Sequence, residues 1–408
     1  MNPTFKQFGS RYGVTVRSQQ RDKGVTWEEL FVDLALAFSL TEFTRILRED
    51  HGWSGLGRVL ILFAMVYWAW TGIILYANQR DVINPLDRVG LFTLGFSAML
   101  LALTISGAWG ARGPLFAAAF LTMRVVLGVL VLRNLPIRRA LFHGPFGAGF
   151  LSGPLLLAGA VVEGTPRIVL WAAAAIVDLA SPWVTRRTLA TIQLHTAHYT
   201  HRYGLLIILV LGESIIEVGE EAVGIPLTVT RTVAVGTGYA LICALWWAYF
   251  VYGVTTFRRA LEESNRHVDL QQSNQQVDLQ RSLLVYGHLL FDLAIIAVAV
   301  GLGQVIMMPT EPLQIGETGL LFGGCALFLA AFSYTNWRIR REFTWRRIGP
   351  AALCLVLLPV ATLLPALAAL MVLIMVVAGV SALENLILHH RATSNPSGVT
   401  DRGPLMGA

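Results

Sequence analysis

The sequence predicts an all-α fold: a polytopic integral membrane helical bundle of about twelve transmembrane helices, with internal pseudo-repeats as a further expectation. Three observations carry this. Apolar runs recur along the chain at about the 20 residues needed to cross a bilayer. Only 14% of residues are charged and 55% are hydrophobic, at a mean hydropathy of +0.61, whereas soluble domains carry about 25% charge. Arginines gather in short loops between the runs and alternate with loops that hold glutamates, the asymmetry that orients helices in membranes.

Residues 1–26 form a polar, basic lead without a signal-peptide pattern. Span 1, Trp27–Leu47, carries Glu28, Glu29, Asp33, Glu42 and Arg45, so it cannot face lipid all round; Asp33, Ala37 and Leu40 share a stripe at helical spacing. Span 2 is Gly57–Ala77, with Trp68 and Trp70. Span 3 is Val89–Trp109. Span 4, Pro114–Leu132, holds Arg124 near its centre. Span 5, Ala140–Val162, is rich in glycine and proline, which packed or broken membrane helices tolerate. Span 6 is Arg167–Val184, with Asp178.

A row of histidines, His195, His198 and His201, precedes span 7, Tyr203–Gly219, which places Glu213 and Glu217 among apolar residues. Span 8 is Val229–Val254, with Trp246 and Trp247 as interfacial anchors. Residues 255–282 read as a polar cytoplasmic helix. Span 9, Leu283–Ile306, contains His288 and Asp292. Span 10 is Gly319–Thr335. Spans 11 and 12, Gly349–Leu364 and Ala366–Leu388, meet at Pro365. Residues 389–408 have the composition of a disordered tail. One transmembrane domain, 27–388, therefore fills the chain, where its length alone would suggest several soluble domains.

Charge orients the spans. Arg133/Arg138/Arg139, Arg186/Arg187, Arg258/Arg259 and Arg338/Arg340/Arg341/Arg346/Arg347 fall on one side; Glu163, Glu220/Glu221 and Glu311/Glu317 fall on the other. Both termini are expected in the cytoplasm. The net charge of +6 reads as this orientation signal, not as nucleic-acid binding. Cys243, Cys325 and Cys354 lie in apolar runs and form neither a disulfide framework nor a zinc spacing.

Several phrases together look familiar: ELFVDLALAF in span 1, WAWTGIILYANQRD in span 2, HYTHRYGLLIILVLGESII in span 7, WWAYF in span 8 and YGH in span 9. In their order and spacing the chain resembles the bacterial low temperature requirement A family, from Gly24 to Leu388. The resemblance implies a polytopic membrane protein and no defined reaction. It maps the family pattern onto Glu29, Asp33, Trp70, Asn78, His198, Arg202, Gly212, Glu213, Tyr286 and His288. His201 and Val251 stand where the family usually has acids, and Asp292 where a small or apolar residue is expected.

Ionisable groups at bilayer depth cost about 2.5–3.5 kcal/mol each on insertion scales and usually work. Asp33, Arg124, Asp178, Glu213, Glu217, His288 and Asp292 are the candidates for substrate or ion binding, with Trp70 as a cavity wall. Two readings stand. In one they are structural ion pairs, for example Arg124 with Glu213 or Asp292. In the other they meet around a polar cavity. Glu213 and Glu217, four residues apart, share one helical face, which suits a proton or a divalent cation; Glu217 reaching the far interface is the plain alternative. The histidine row fits interfacial placement, a metal site or pH sensing. The phrases around Asp33, Asp178 and Asp292 (FVDLALAF, AIVDLASPW, LFDLAIIAV) hint at repetition.

The chain has no P-loop, no glycine-rich dinucleotide turn after a strand and no nucleophile elbow, and no cofactor is expected. The expected function is a proton-coupled secondary transporter of unknown substrate, with Glu213 as main proton site, Asp292 and Asp33 around it and Arg124 as electrostatic partner. The alternative is an intramembrane enzyme acting on a lipid or isoprenoid, with Glu213, Asp292, His198, His201 and His288 as catalytic candidates, protonating substrate or holding magnesium. A third option is a non-catalytic membrane stress-adaptation protein. The expected partners are the bilayer and a small-molecule or lipid substrate, with no nucleic acid.

Overall fold

Helix α1 (Trp27–Glu49) starts where Thr26 and Glu29 close a capping box. Helix α2 (Trp53–Gln79) follows after a short turn. Asn84 caps α3 (Pro85–Ile105), with proline at its first position, where a missing N–H is harmless. The chain continues through α4 (Gly113–Leu132), α5 (Gly144–Val161), α6 (Thr165–Val184) and α7 (Thr196–Ala222). Helix α8 (Val229–Trp247) runs through a π-turn (Ala248–Gly253) into α9 (Val254–Arg266). A second π-turn (Arg281–Tyr286) opens α10 (Gly287–Met307); α11 (Ile315–Arg340), α12 (Trp345–Ala361) and α13 (Ala366–Ser394) complete the chain. This computed structural model describes residues 23–80, 84–133, 144–185, 195–266, 278–341 and 345–394. Among them there is no strand, only an isolated bridge between Pro312 and Pro365.

The all-α expectation holds. A helix underlies each expected span, and seven segments are long and apolar enough to cross a membrane: Trp53–Gln79, Pro85–Ile105, Gly113–Leu132, Thr165–Val184, Val229–Ser264, Asp278–Met307 and Ile315–Arg340. Helices α1 and α7 are long enough but carry many charges, and α12 is short at 17 residues. Large apolar side chains such as Phe92, Phe96, Leu103, Leu353 and Val356 point outward, as a lipid-facing surface requires.

Some boundaries differ. Helix α7 begins at Thr196, not Tyr203, so His198, His201 and Arg202 belong to it. Helix α13 continues to Ser394, past the expected start of the tail. The expected helix 255–282 is helical to Arg266 and again from Asp278. The lead up to residue 22, the arginines at 138, 139, 186 and 187, and the tail from 395 lie outside the described residues.

The packing has a recurring pattern. The neighbouring pairs α1–α3, α3–α4, α4–α5, α5–α6 and α2–α6 have counterparts in α7–α10, α10–α11, α11–α12, α12–α13 and α8–α13. The acid-in-apolar phrases around Asp33, Asp178 and Asp292 fall on α1, α6 and α10, which this correspondence does not pair.

Helices α10 and α11 approach closely through glycines. A Cβ on Gly301 would lie 2.6 Å from the Leu321 Cβ, and one on Gly324 only 2.8 Å from the Ala294 carbonyl oxygen. Small residues allow such backbone approach in membranes. Gly301→Leu is expected to destabilise the purified protein by about 1–3 kcal/mol through overpacking, read as a lower unfolding midpoint in detergent.

Candidate functional site

One face of α1 carries Glu29, Asp33, Thr41, Thr44 and Arg48, at spacings of three, four and eight that keep them on one stripe. A matching face of α7 carries His198, Arg202, Glu213, Glu217 and Glu221. Every hydrogen bond between these faces joins residues 169–173 positions apart, so the two helices run side by side and parallel.

At the N-terminal end of this seam, Arg202 bridges two carboxylates. Its Nη1 donates to Glu29 Oε2 at 2.6 Å and its Nη2 to Asp33 Oδ1 at 2.6 Å. The Trp70 indole N–H donates to the same Asp33 oxygen at 2.9 Å. His198 Nε2 meets Glu29 at 2.9 Å, while Asn78 Nδ2 reaches His198 Nδ1 at 3.1 Å. An amide nitrogen only donates, so Nδ1 accepts and the Nε2 proton points at Glu29. Asn78 also clamps the start of α7, donating to the His195 carbonyl at 2.9 Å and accepting from its N–H at 3.0 Å. Lys23 donates to the carbonyls of Ala77 and Arg80 at the end of α2. Glu29, Asp33, Trp70, Asn78, His198 and Arg202 are all buried.

Further along, Glu213 accepts from Thr41 at 2.8 Å and has the Thr44 hydroxyl at 3.1 Å. Thr44 also has the Thr41 carbonyl at 2.9 Å, so its one proton has two acceptors. At the C-terminal end the polarity reverses: the cation is on α1 and the acids are on α7. Arg48 donates to Glu217 at 2.7 Å and Glu221 at 3.0 Å, with Glu220 at 3.7 Å. Gly303 of α10 leaves room here, since a Cβ would come 3.0 Å from Glu217 Oε1. Glu213 and Glu217 thus share a face toward α1, and Glu217 is buried in an ion pair with Arg48.

The other predicted residues fall into separate groups. Arg124 pairs with Asp178, not with Glu213 or Asp292. Helices α4 and α6 both pack against α5, whose Gly149 backs onto the guanidinium; a Cβ at that position would come 3.1 Å from Nη1. His288 stands beside Tyr203 of α7, ring centroids 4.9 Å apart, and is hydrogen-bonded to Tyr249. Trp70 packs edge-on to Tyr203 at 5.2 Å. Asp292 is fully buried one turn beyond His288. His201 is exposed and turned away from the row. The acids therefore do not converge on a single pocket. Asp33, Glu213 and Glu217 line the seam, Asp292 stands on the adjacent α10, and Asp178 is elsewhere.

Sequence reasoning missed Arg48, Thr41, Thr44, Tyr67 and Tyr249. The i, i+3, i+7 spacing of Thr41, Thr44 and Arg48 is a stripe signal that could have found the first three. No group of three or more His, Cys, Asp or Glu among the described residues has the arrangement of a metal site.

The family described as "Bacterial low temperature requirement A protein (LtrA)" matches residues 24–382. The chain is also similar to an uncharacterized protein of Rhizobium meliloti (strain 1021), 26% identical over 336 residues that cover 77% of each chain. No solved structure matches significantly. With nearly its whole helical body matched, the chain belongs to the bacterial low temperature requirement A family.

Proposed function

We propose that this family member is a proton-coupled secondary transporter whose working element is the α1–α7 seam. One observation carries the reading. From Glu29 to Arg48, α1 rises about 28 Å at 1.5 Å per residue, close to the ~30 Å hydrocarbon thickness of a bilayer. Ionisable groups paired between two helices thus extend through the whole membrane, with a lock of ion pairs at each end. Between the locks stand Glu213 and its two threonines, a carboxylate held by neutral hydroxyls and free to exchange a proton.

The recurring packing supports the same reading. Two six-helix halves, with α1 corresponding to α7, would be related by an axis along the membrane normal, since α1 and α7 run parallel. The seam then lies where the halves meet, which is where transporters place substrate and coupling-ion sites. In this arrangement the chain crosses twelve times, both termini are cytoplasmic, and the Glu29 end of the seam faces the cytoplasm.

A scaffold without turnover is the second reading. It is favoured by the local closure of the Arg124–Asp178 pair and of the Arg202 network. Mass spectrometry of compounds that copurify, followed by uptake of that compound into proteoliposomes, separates the two. Wild type is expected to accumulate it under an imposed pH gradient, and Glu213→Gln to lose gradient-driven uptake by tenfold or more. Undiminished gradient-driven uptake by the Gln variant would remove Glu213 from the role.

A further inference from the structure

Asp292 is the described carboxylate with both oxygens buried and neither hydrogen-bonded. No charged side chain among the described residues pairs with it. Two phenols lie against the same stretch of chain: Tyr249, from the π-turn after α8, has its ring 5.6 Å from those of His288 and Phe291, and Tyr67 of α2 reaches the Val285 carbonyl just before α10. The other titratable groups beside them are His288, on the same helix, Tyr203 of α7 against that histidine, and Tyr199 against Tyr203.

The protons of His288, Tyr249 and Tyr67 are already committed elsewhere, whereas the buried Tyr203 hydroxyl has no hydrogen-bond partner among the described residues. His288 Nδ1 lies 3.0 Å from the Leu283 carbonyl, which can only accept, so Nδ1 carries the hydrogen. In the neutral ring Nε2 is then an acceptor, and the Tyr249 hydroxyl must donate to it. Tyr67 donates to the Val285 carbonyl at 2.6 Å. Both phenol oxygens are thus left with lone pairs only, and neither can donate to Asp292. Carbonyls of the second π-turn, Arg281–Tyr286, take two of these protons, while the first π-turn supplies Tyr249. π-Turns are rare and often mark functional sites.

The Asp292 carboxylate and these two phenol oxygens are all acceptors, a set that a cation can complete. The donors are hard oxygens, which excludes a soft transition metal, and one carboxylate charge suits a monovalent ion better than calcium. The depth fits as well. Contacts of Tyr203 with His288 and of Glu217 with Gly303 put α7 and α10 in parallel register. Asp292 then lies beyond the Asp33–Arg202 level and before the Glu213 level, between the two locks.

We propose that Asp292, with the hydroxyl oxygens of Tyr67 and Tyr249, seats a small monovalent cation, a sodium ion or a proton. Its use as a coupling ion rests on the transport reading; its binding does not. The test is thermal unfolding of the purified full chain in detergent, followed by tryptophan fluorescence. Sodium chloride is titrated against choline chloride at equal ionic strength, and pH is lowered in a parallel series. Wild type should gain several degrees in sodium or on acidification, and Asp292→Asn should lose that gain. A gain in sodium identifies the ion; a gain only in acid identifies the proton. Where sodium is the ion, Tyr67→Phe should raise the concentration for half effect about tenfold. Asp292→Ser serves the same comparison where the Asn variant does not accumulate. Equal responses of wild type and the Asp292 variants in both series overturn the proposal. A sodium shift without any uptake would keep the site and remove the transporter.

Discussion

Arg202→Met is expected to destabilise the protein by about 3–5 kcal/mol, the largest loss of any single substitution in the seam. Hydrogen bonds between membrane helices average only about 0.6 kcal/mol, which would make a neutral contact here minor. The difference is charge. Arg202 holds Glu29 and Asp33 together, both buried, and its removal strands two carboxylates. Chemical unfolding in detergent measures the loss. Adding Glu29→Gln and Asp33→Asn should recover more than half of it, because uncharged amides no longer need the guanidinium. A triple variant no more stable than Arg202→Met would show that packing of the arginine stem, and not charge, holds this end.

The second large effect is expected at the opposite end. Arg48→Gln leaves Glu217, Glu220 and Glu221 without their shared cation. Buried Glu217 then favours separation of α1 from α7 and entry of water. Ser39, buried on α1 between the Asp33 and Thr41 levels, is a suitable reporter as Ser39→Cys, with exposed Cys243 replaced by serine. In the Arg48→Gln background a membrane-impermeant thiol reagent should label this cysteine at least tenfold faster, from the Arg48 side only. Tenfold corresponds to about 1.4 kcal/mol, a modest cost for stranding the buried Glu217 carboxylate beside its half-buried partner. Equal labelling from both sides would mean general loosening and would argue against a lock.

How much of this is readable in the sequence depends on the kind of signal. The helices are legible because length and hydropathy of each apolar run are local properties. Glu213, Asp33 and Asp292 are legible because charge at bilayer depth is rare enough to stand out. Arg48 is not, because it follows Leu47, where the apolar run stops, although the helix continues to Glu49. Thr41 and Thr44 carry no charge, so a depth argument passes over them. The partner of Arg124 cannot be read at all. Several acids stand at similar depth, and only the packing of α4 and α6 around α5 selects Asp178. Tyr67 and Tyr249 look like core aromatics, and nothing in a single sequence announces a π-turn. The histidine row suggests a shared face, but His201 is exposed while His198 is buried against Glu29.

The parallel course of α1 and α7 sets each guanidinium at the same height as the carboxylates it holds. Moving a unit charge along the transmembrane field costs about 2.3 kcal/mol per 100 mV. Parting the two helices within the membrane plane moves none of these charges along that field. Such a separation is electrically silent.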